Sequence, residues 1–178
     1  MPSIDEAFLK LLQDDYTQYT SFIETGTFNG ETIFNVEQYF NKLYTIEVSE
    51  HYYTKTIIKY YGNKINFILG DSSIVFETLL PNISDKCIFF LDGHWSGDDT
   101  GRSHKDCPLV EEITHINNLF TNDAIIIIDD FRLFGLEDWR DINKEKLLNI
   151  LQERTSKVYH LDSACAKDDR LIIHIHAK

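Results

Sequence analysis

The sequence predicts an α/β fold in which a mostly parallel sheet of seven strands carries helices on both faces. Short runs rich in β-branched and aromatic residues alternate with helical stretches along the chain, which is the pattern of repeated strand–helix units. Two runs, Cys87–Leu91 and Ala124–Ile128, are apolar at every position, as strands buried on both faces are. Polar turns follow the ends of successive runs, which predicts one polar edge of the sheet.

The final two runs alternate apolar and polar residues, which predicts an antiparallel C-terminal strand pair. The pattern makes Leu171–His176 an exposed edge strand and places His174 and His176 on a solvated face. The seven expected strands are Ser21–Glu24, Leu43–Val48, Ile65–Gly70, Cys87–Leu91, Ala124–Ile128, Val158–Leu161 and Leu171–His176.

Capping residues mark several of the expected helices. Ser3 and Glu6 have the form of a capping box and predict a leading helix. Gly62 and Asn63 form a C-cap, and Pro81 ends the helix before it. The later helices are expected at about 31–39, 49–61, 73–80, 108–119 and within 138–154.

The length and charge of the chain restrict its class. Its 178 residues predict one domain spanning 1–178. Seventeen basic and 29 acidic residues give a net charge of −12, which argues against nucleic acid and anionic membranes as partners because both need a positive surface. Nine acids and two bases fall between Asp92 and Asp130, so that stretch is either solvated or holds a positive group.

Targeting signals and disulfides are not expected. No apolar run approaches the roughly 20 residues of a membrane span, and the acidic start of the chain does not resemble a signal peptide. The three cysteines, Cys87, Cys107 and Cys165, form no C-x-x-C pair. Reduced thiols and a cytoplasmic location are therefore predicted.

A glycine-containing turn follows the first expected strand and opens the next helix. The spacing of Gly26 and Gly30 is Gly-x-x-x-Gly, whereas the turn that seats a pyrophosphate has Gly-x-Gly-x-x-Gly. Glu24 at the start of the turn would also repel a pyrophosphate. An acid here suits a cationic ligand, such as the ammonium and sulfonium groups of S-adenosylmethionine. The turn reads Glu24-Thr25-Gly26-Thr27-Phe28-Asn29-Gly30-Glu31-Thr32.

Acidic residues also follow the second and third expected strands. Glu47 lies 21 residues beyond Gly26, where an acid can accept hydrogen bonds from both hydroxyls of a ribose. Asp71 and Ser72 follow Gly70, where they are placed to hold the edge of an adenine. Three successive strand ends thus carry polar groups at the edge where parallel sheets bind ligands.

From Phe22 to Gly135 the chain resembles the class I S-adenosylmethionine-dependent methyltransferases, whose fold is Rossmann-like. The resemblance rests on the acid followed by Gly-x-x-x-Gly and on the acids at the two later strand ends. It implies that S-adenosylmethionine is the cofactor. The implied cofactor-binding residues are Glu24, Thr25, Gly26, Thr27, Gly30, Thr32, Glu47, Asp71, Ser72 and Asp92.

Acids follow the two fully apolar strands as well. Asp92 comes after the first, and Asp129 and Asp130 come after the second. Carboxylates converging at one edge repel one another unless a cation lies among them, and oxygen ligands suit Mg²⁺, Ca²⁺ or Mn²⁺. This resembles the metal-dependent small-molecule O-methyltransferases of the catechol and macrocin types. The resemblance implies that these three aspartates hold Mg²⁺, which would lower the pKa of a substrate hydroxyl.

The implied activity is methyl transfer to a hydroxyl of a small molecule, such as a sugar or a phenol. Asp92 and His94 are the candidate catalytic residues. The catechol type has a lysine close behind the first acid, whereas this chain reads Gly93-His94-Trp95-Ser96. His94 is therefore the candidate to take the proton, since histidine titrates near neutrality; the alternative is that it only orients the loop or binds substrate.

Two other functions stay open at this stage. One is another nucleotide-dependent enzyme, such as a dehydrogenase, and the other is a non-catalytic binding module on the same fold. The loop from Asp92 to Cys107 is expected to fold over the substrate. The first helix and the Leu171–His176 strand are the surfaces that would serve a homodimer.

Overall fold

The computed structural model describes residues 3–93, 107–136 and 139–178. Seven strands form one sheet in the order β3-β2-β1-β4-β5-β7-β6. Only β7 runs against the others, because it pairs antiparallel with both β5 and β6 while the remaining pairs are parallel. The predicted fold class is confirmed. The strands are β1 (Ser21–Thr25), β2 (Lys42–Glu47), β3 (Ile65–Leu69), β4 (Cys87–Leu91), β5 (Ala124–Ile128), β6 (Thr155–Leu161) and β7 (Arg170–Ile175).

Six α-helices in the described part of the chain accompany the sheet. The leading helix is shorter than expected, because Asp5 and not Ser3 is its N-cap and accepts a hydrogen bond from the amide of Phe8 at 2.8 Å. The second helix ends at Val36 and continues as a 3-10 turn over Glu37–Tyr39. The helices are α1 (Glu6–Leu9), α2 (Glu31–Val36), α3 (Glu50–Ile57), α4 (Ser72–Leu79), α5 (Leu109–Leu119) and α6 (Lys144–Leu151).

The position of the last strand differs from the prediction. β7 lies between β5 and β6 and is buried along its whole length, so β6 is the edge strand. His174, expected on a solvated face, is only 2% exposed. Its Nδ1 lies 2.7 Å from Asp14 Oδ2, and its Nε2 lies 2.9 Å from the hydroxyl of Tyr159. Both partners come from outside the strand, so alternation within the strand could not reveal them.

Buried side chains lie on both faces of the sheet. Alternate residues of the central strands point to opposite faces, so that Phe89 and Ile126 belong to one apolar cluster and Phe90 and Ile127 to the other. The first cluster includes residues of α4, α5 and α6, and the second includes residues of α1 and α2. These two layers explain why β4 and β5 are apolar at every position.

The strand order places a ligand cleft between β1 and β4. The helix that follows β1 packs on one face of the sheet and the helix that follows β4 packs on the other. At such a switch point the two connections diverge and leave a crevice beyond the carboxyl ends of the strands. The turn after β1 and the Asp92–Gly93 segment after β4 meet at this switch point, where Gly26 approaches the backbone of Asp92.

Candidate cofactor and active site

Gly26 sits where the turn after β1 meets the end of β4. Its φ is +85°, and a Cβ added to it would lie 2.4 Å from the carbonyl oxygen of Asp92. Its amide donates a hydrogen bond of 2.9 Å to the carbonyl of Ile46. Both the left-handed conformation and the close backbone approach require glycine. The local fold of this turn is the one expected of the Gly-x-x-x-Gly segment, with Gly30, φ +78°, as the N-cap of α2.

Glu24 is buried beneath the turn, with 1% of its surface exposed. Its Oε2 accepts a hydrogen bond of 2.7 Å from the hydroxyl of Thr45, which in turn lies 2.5 Å from the hydroxyl of Thr27. Burial raises the pKa of Glu24 to about 8; the bond from Thr45 opposes this shift and the charge of Glu47 adds to it. The carboxyl group is therefore largely protonated at neutral pH, and a cationic ligand nearby would favour its ionised form.

Glu47 lies at the end of β2, with 6% of its surface exposed. Its Oε2 accepts a hydrogen bond of 2.8 Å from the amide of Phe28, and its Oε1 accepts one of 2.8 Å from the amide of Ser49. These bonds tie the turn after β1 to the end of β2 and fix the carboxylate at the crevice. A carboxylate has about four lone-pair sites, so Glu47 retains acceptor capacity for a ligand hydroxyl.

Asp71 and Ser72 follow β3 and open α4. Asp71 is the N-cap of α4, and its Oδ1 accepts hydrogen bonds from the amide of Ser73 at 2.9 Å and from its hydroxyl at 2.6 Å. The hydroxyl of Ser72 donates a 2.6 Å bond to Oε1 of Glu112 on α5. These contacts give both residues a structural role at the strand end where an adenine edge was predicted.

The remaining predicted site residues have different surroundings. Thr25 is fully buried, and its hydroxyl has no hydrogen-bond partner within the described ranges. The hydroxyl of Thr32, on α2, accepts a bond of 3.0 Å from the amide of Ser3, so it anchors the start of the chain. His94, the predicted proton acceptor, lies outside the described residues.

The acid pair after β5 is held by arginines. Asp129 is 8% exposed, and its Oδ1 accepts a 3.2 Å bond from Nε of Arg170 on β7. Asp130 accepts a 2.5 Å bond from Nη1 of Arg132, and the same Nη1 contacts the buried carboxylate of Asp169. Burial raises the pKa of Asp129, while the charge of Arg170 opposes the shift. Burial alone would lower the pKa of Arg132, but the charges of its two acidic partners raise it.

The grouping of acids differs from the metal site implied by the resemblance. Asp129 and Asp130 come together with Asp169, each offering an oxygen within 4.8 Å of the others. Asp92 is not in this group; its backbone approaches Gly26, and its amide bonds the carbonyl of Thr25 at 3.2 Å. Because arginines already bind all three grouped carboxylates, this donor set does not fit a resident divalent cation.

Sequence reasoning missed several partners of the predicted site residues. Thr45, the partner of Glu24, lies mid-strand, and Glu112, the partner of Ser72, lies on an amphipathic helix, so neither stands at a strand end. Asp169 precedes β7 and is 37 residues from Arg132. The sequence Asp129-Asp130-Phe131-Arg132 does predict one partner: Arg132 either binds a substrate carboxylate or phosphate or neutralises an acid of the pair, and the structure shows it on Asp130.

A small pocket adjoins the crevice, at the carboxyl ends of β4 and β5. Its volume is only about 10 Å³, and Glu112 supplies a charged group to a wall whose other residues are mostly apolar. A space of this size admits about one water molecule and no larger group. The lining includes Leu91, Gly93, Leu109, Glu112, Ile128 and Trp139.

Comparison with solved structures supports the fold. A protein from Clostridium thermocellum assigned as an rRNA methylase aligns over 100% of both chains, with 12% identity and a TM-score of 0.64. A Staphylococcus aureus protein assigned as a caffeoyl-CoA O-methyltransferase aligns over 99% of this chain and 86% of its own, with 15% identity and a TM-score of 0.63. At such identities the likeness extends to the fold and not to the substrate.

A third similar structure holds the cofactor. The O-methyltransferase TomG from Streptomyces achromogenes, in complex with S-adenosylmethionine, aligns over 91% of this chain and 75% of its own, with 14% identity and a TM-score of 0.60. No protein-family model matches the sequence, and no curated protein matches it. In the described part of the chain, no helix has the length and apolar character needed to cross a bilayer.

Proposed function

We propose that this chain transfers a methyl group from S-adenosylmethionine to a hydroxyl oxygen of a small molecule. The observation that carries the proposal is the set of acids at the ends of β1, β2 and β3. Glu24, Glu47 and Asp71 are held by hydroxyls and amides, and in the described part of the chain none of them forms an ion pair. The carboxylates of Glu47 and Asp71 are thus available to a cationic ligand at the switch point, and such a ligand would favour the ionised form of Glu24.

The proposed roles follow from these contacts. Glu47 has acceptor sites for the ribose hydroxyls, and the turn around Gly26 brings the cofactor close to the backbone. Glu24 lies beneath this turn, where the ammonium and sulfonium groups of the cofactor would stabilise its ionised form. When bound, the cofactor supplies an activated methyl group on its sulfonium sulfur.

The chemical step needs alignment and a proton acceptor. The acceptor oxygen attacks the methyl carbon as the bond to sulfur breaks, and the hydroxyl proton passes to a base. His94 is the base proposed here on the sequence pattern. The acceptor is proposed to lie beyond the carboxyl ends of β4 and β5, near Leu91 and Ile128, and holding two reactants in line lowers the entropic part of the barrier.

A small-molecule acceptor agrees with the charge of the chain. The net charge of −12 opposes the phosphate backbone of RNA, which basic surfaces attract. The Clostridium thermocellum neighbour is assigned to rRNA, so RNA belongs among the tested acceptors. The Mg²⁺ implied by the resemblance has no part in the proposed step, because arginines bind Asp129 and Asp130, two of the three acids that would hold it.

The cofactor is tested by thermal shift with S-adenosylhomocysteine and with NAD as separate ligands. We expect stabilisation by S-adenosylhomocysteine alone. Glu47→Ala should abolish this shift, whereas Glu50→Ala, an exposed acid in the first turn of α3, should retain it. Stabilisation by NAD alone would favour the dehydrogenase-like alternative.

The acceptor class is tested by transfer of a labelled methyl group to a panel of sugars and phenols, with ribosomal RNA as the competing substrate. We expect label in a small-molecule fraction and none in RNA. Label in RNA would contradict the acceptor class. Cofactor binding without transfer to any acceptor would support the binding-module alternative.

A further inference from the structure

We propose that the Arg132 guanidinium stands in for a divalent cation among Asp129, Asp130 and Asp169, so that the chain carries its own cation at this edge and transfers methyl groups without a metal there. The statement about transfer rests on the proposed function. The statement about the cation does not, because it concerns binding that can be measured without a substrate.

The three acids lie close enough together to share one cation. Their nearest oxygens lie within 4.8 Å of one another, close enough for a single cation to contact all of them. Arg132 Nη1 already contacts two of the three, Asp130 and Asp169. One donor nitrogen thus bridges two carboxylates, as an ion would.

The net charge of the cluster depends on Arg132. Three carboxylates carry −3, and the guanidiniums of Arg132 and Arg170 carry +2, which leaves −1. Without Arg132 the cluster would carry −2, which a divalent ion neutralises. Like charges this close repel one another, so removing Arg132 leaves an excess of negative charge that a cation in its place would offset.

Arg132 is held in position by the segment that contains Asp169. Its backbone amide donates a 3.0 Å bond to Oδ1 of Asp169 while its guanidinium contacts Oδ2 of the same carboxylate. The hydroxyl of Ser163 also donates a 2.6 Å bond to that Oδ2, and the carbonyl of Asp169 accepts the amide of Phe131 at 2.8 Å. The segment before β7 therefore fixes the 3-10 turn that carries Arg132.

The backbone of Asp130 has an unfavourable conformation. Its φ of +57° is left-handed, which costs a non-glycine residue free energy unless its surroundings hold it. The bonds from Arg132 to Asp130 and from Phe131 to Asp169 hold it on both sides. Arg132 is thus a positioning residue for the acid pair as well as its cation.

The second cation belongs to the fold around the cluster. Arg170 is 4% exposed, and its guanidinium lies 4.6 Å from the ring centroid of Phe8 on α1. Such a cation–π contact on a desolvated guanidinium favours its present position. Removal of Arg132 therefore leaves Arg170 on Asp129 and vacates only the space between Asp130 and Asp169.

The test measures Mn²⁺ binding, which is detected as a decrease in the electron paramagnetic resonance signal of the free ion. The wild-type protein should bind no Mn²⁺ at this cluster at about 1 mM ion, whereas Arg132→Ala should bind one ion at least about tenfold more tightly. Arg132→Lys keeps the charge and should behave as the wild type does. Arg140→Ala, an exposed arginine outside the cluster, is the matched control and should not gain a site.

A second change assigns any bound ion to the cluster. Adding Asp169→Asn to Arg132→Ala should remove the gained site. Circular dichroism and S-adenosylhomocysteine binding establish that each variant is folded, and failure of that binding in every protein would count against the proposed function and not against the cation.

Wild-type turnover should be the same in excess chelator as in Mg²⁺. Wild-type Mn²⁺ binding that Asp169→Asn abolishes would overturn the inference. A folded Arg132→Ala without a gained site would also overturn it. Were Arg132→Ala unfolded, wild type and Arg132→Lys would decide, since Mn²⁺ at the cluster in either one contradicts the inference.

Discussion

The acids at the two ends of the polar sheet edge have different kinds of partner. At the β1–β3 end, Glu24 and Glu47 are held by hydroxyl and amide donors with no cation within the described ranges. At the β5–β7 end, Asp129 and Asp130 are each bound by an arginine. The number of acids is similar at both ends, so the difference lies in what compensates them.

This difference separates two kinds of polar site. Amide donors fix the carboxylate of Glu47 without cancelling its charge, and the buried Glu24 would ionise beside a cation, so the β1–β3 end still favours a cationic ligand. Guanidiniums both fix a carboxylate and cancel its charge, so the β5–β7 end has little attraction left for a metal. A strand-end acid therefore indicates a ligand only when its partners are known.

The largest expected effect concerns Glu24 and pH. Its folded-state pKa of about 8 lies above its value in an unfolded chain, so the folded state keeps a proton that the unfolded state releases. The free energy of unfolding should therefore fall by about 1.4 kcal/mol per pH unit between about 4.5 and 8, on the order of 5 kcal/mol in all, and then level off.

Glu24→Gln should remove this slope, because the amide oxygen still accepts the bond from Thr45 and does not ionise. Denaturant unfolding at pH 5, 7 and 9 measures the effect, with the exposed Glu50→Gln as control. Parallel curves for wild type and Glu24→Gln would show that the buried carboxyl is not raised in pKa.

The next effect is at the arginine-bound end. Arg170→Met should lower the free energy of unfolding by about 3–5 kcal/mol, because it leaves the buried charge of Asp129 uncompensated. The double variant Arg170→Met/Asp129→Asn should recover part of the loss, which chemical denaturation would show. A loss below about 1 kcal/mol for the single change would mean that the pair is effectively solvated.

The turn after β1 offers a matched glycine comparison. Gly26 and Gly135 have φ of +85° and +80°, but a Cβ on Gly26 meets the Asp92 carbonyl while one on Gly135 meets nothing within 4 Å. Gly135→Ala should cost about 1 kcal/mol, the strain of the conformation alone, and Gly26→Ala roughly 2–3 kcal/mol more.

Thermal and denaturant unfolding measure both glycine variants. Gly26→Ala should also lose S-adenosylhomocysteine binding, whereas Gly135→Ala should keep it. Equal costs at the two positions would contradict the close approach of the β1 turn to β4.

The smallest effect is expected from Arg132. Its side chain is 40% exposed, and half-exposed ion pairs contribute little to stability because solvent screens them. Arg132→Gln should lower the free energy of unfolding by about 1 kcal/mol, measured by denaturant unfolding beside Arg132→Lys. A decrease in the free energy of unfolding as large as that of Arg170→Met would contradict this expectation and would show that Arg132 mainly stabilises the fold.

Local patterns were enough to predict most of the fold. The apolar runs of β4 and β5 and the glycine turn before α2 are visible in a few consecutive residues. The place of β7 was not, because the partners of His174 are Asp14, 160 residues away, and Tyr159. Alternation shows which positions are polar and does not show whether a distant partner buries them.

For the candidate site, too, local sequence patterns revealed some features and long-range contacts determined the others. The strand-end acids were found from their place after apolar runs. Apart from Arg132, two residues behind the acid pair, their partners were not found, since Thr45 reaches Glu24 across 21 residues and Arg170 reaches Asp129 across 41. The metal implied by the resemblance depended on that missing information.

Calorimetric titration with S-adenosylhomocysteine tests the central claim most directly, because it measures whether the uncompensated acids form a cofactor site. The account predicts saturable binding of one ligand per chain to the wild type, with affinity lowered at least about tenfold in Glu47→Ala and unchanged in Glu50→Ala. An absence of binding to the folded wild-type protein at millimolar ligand would contradict it.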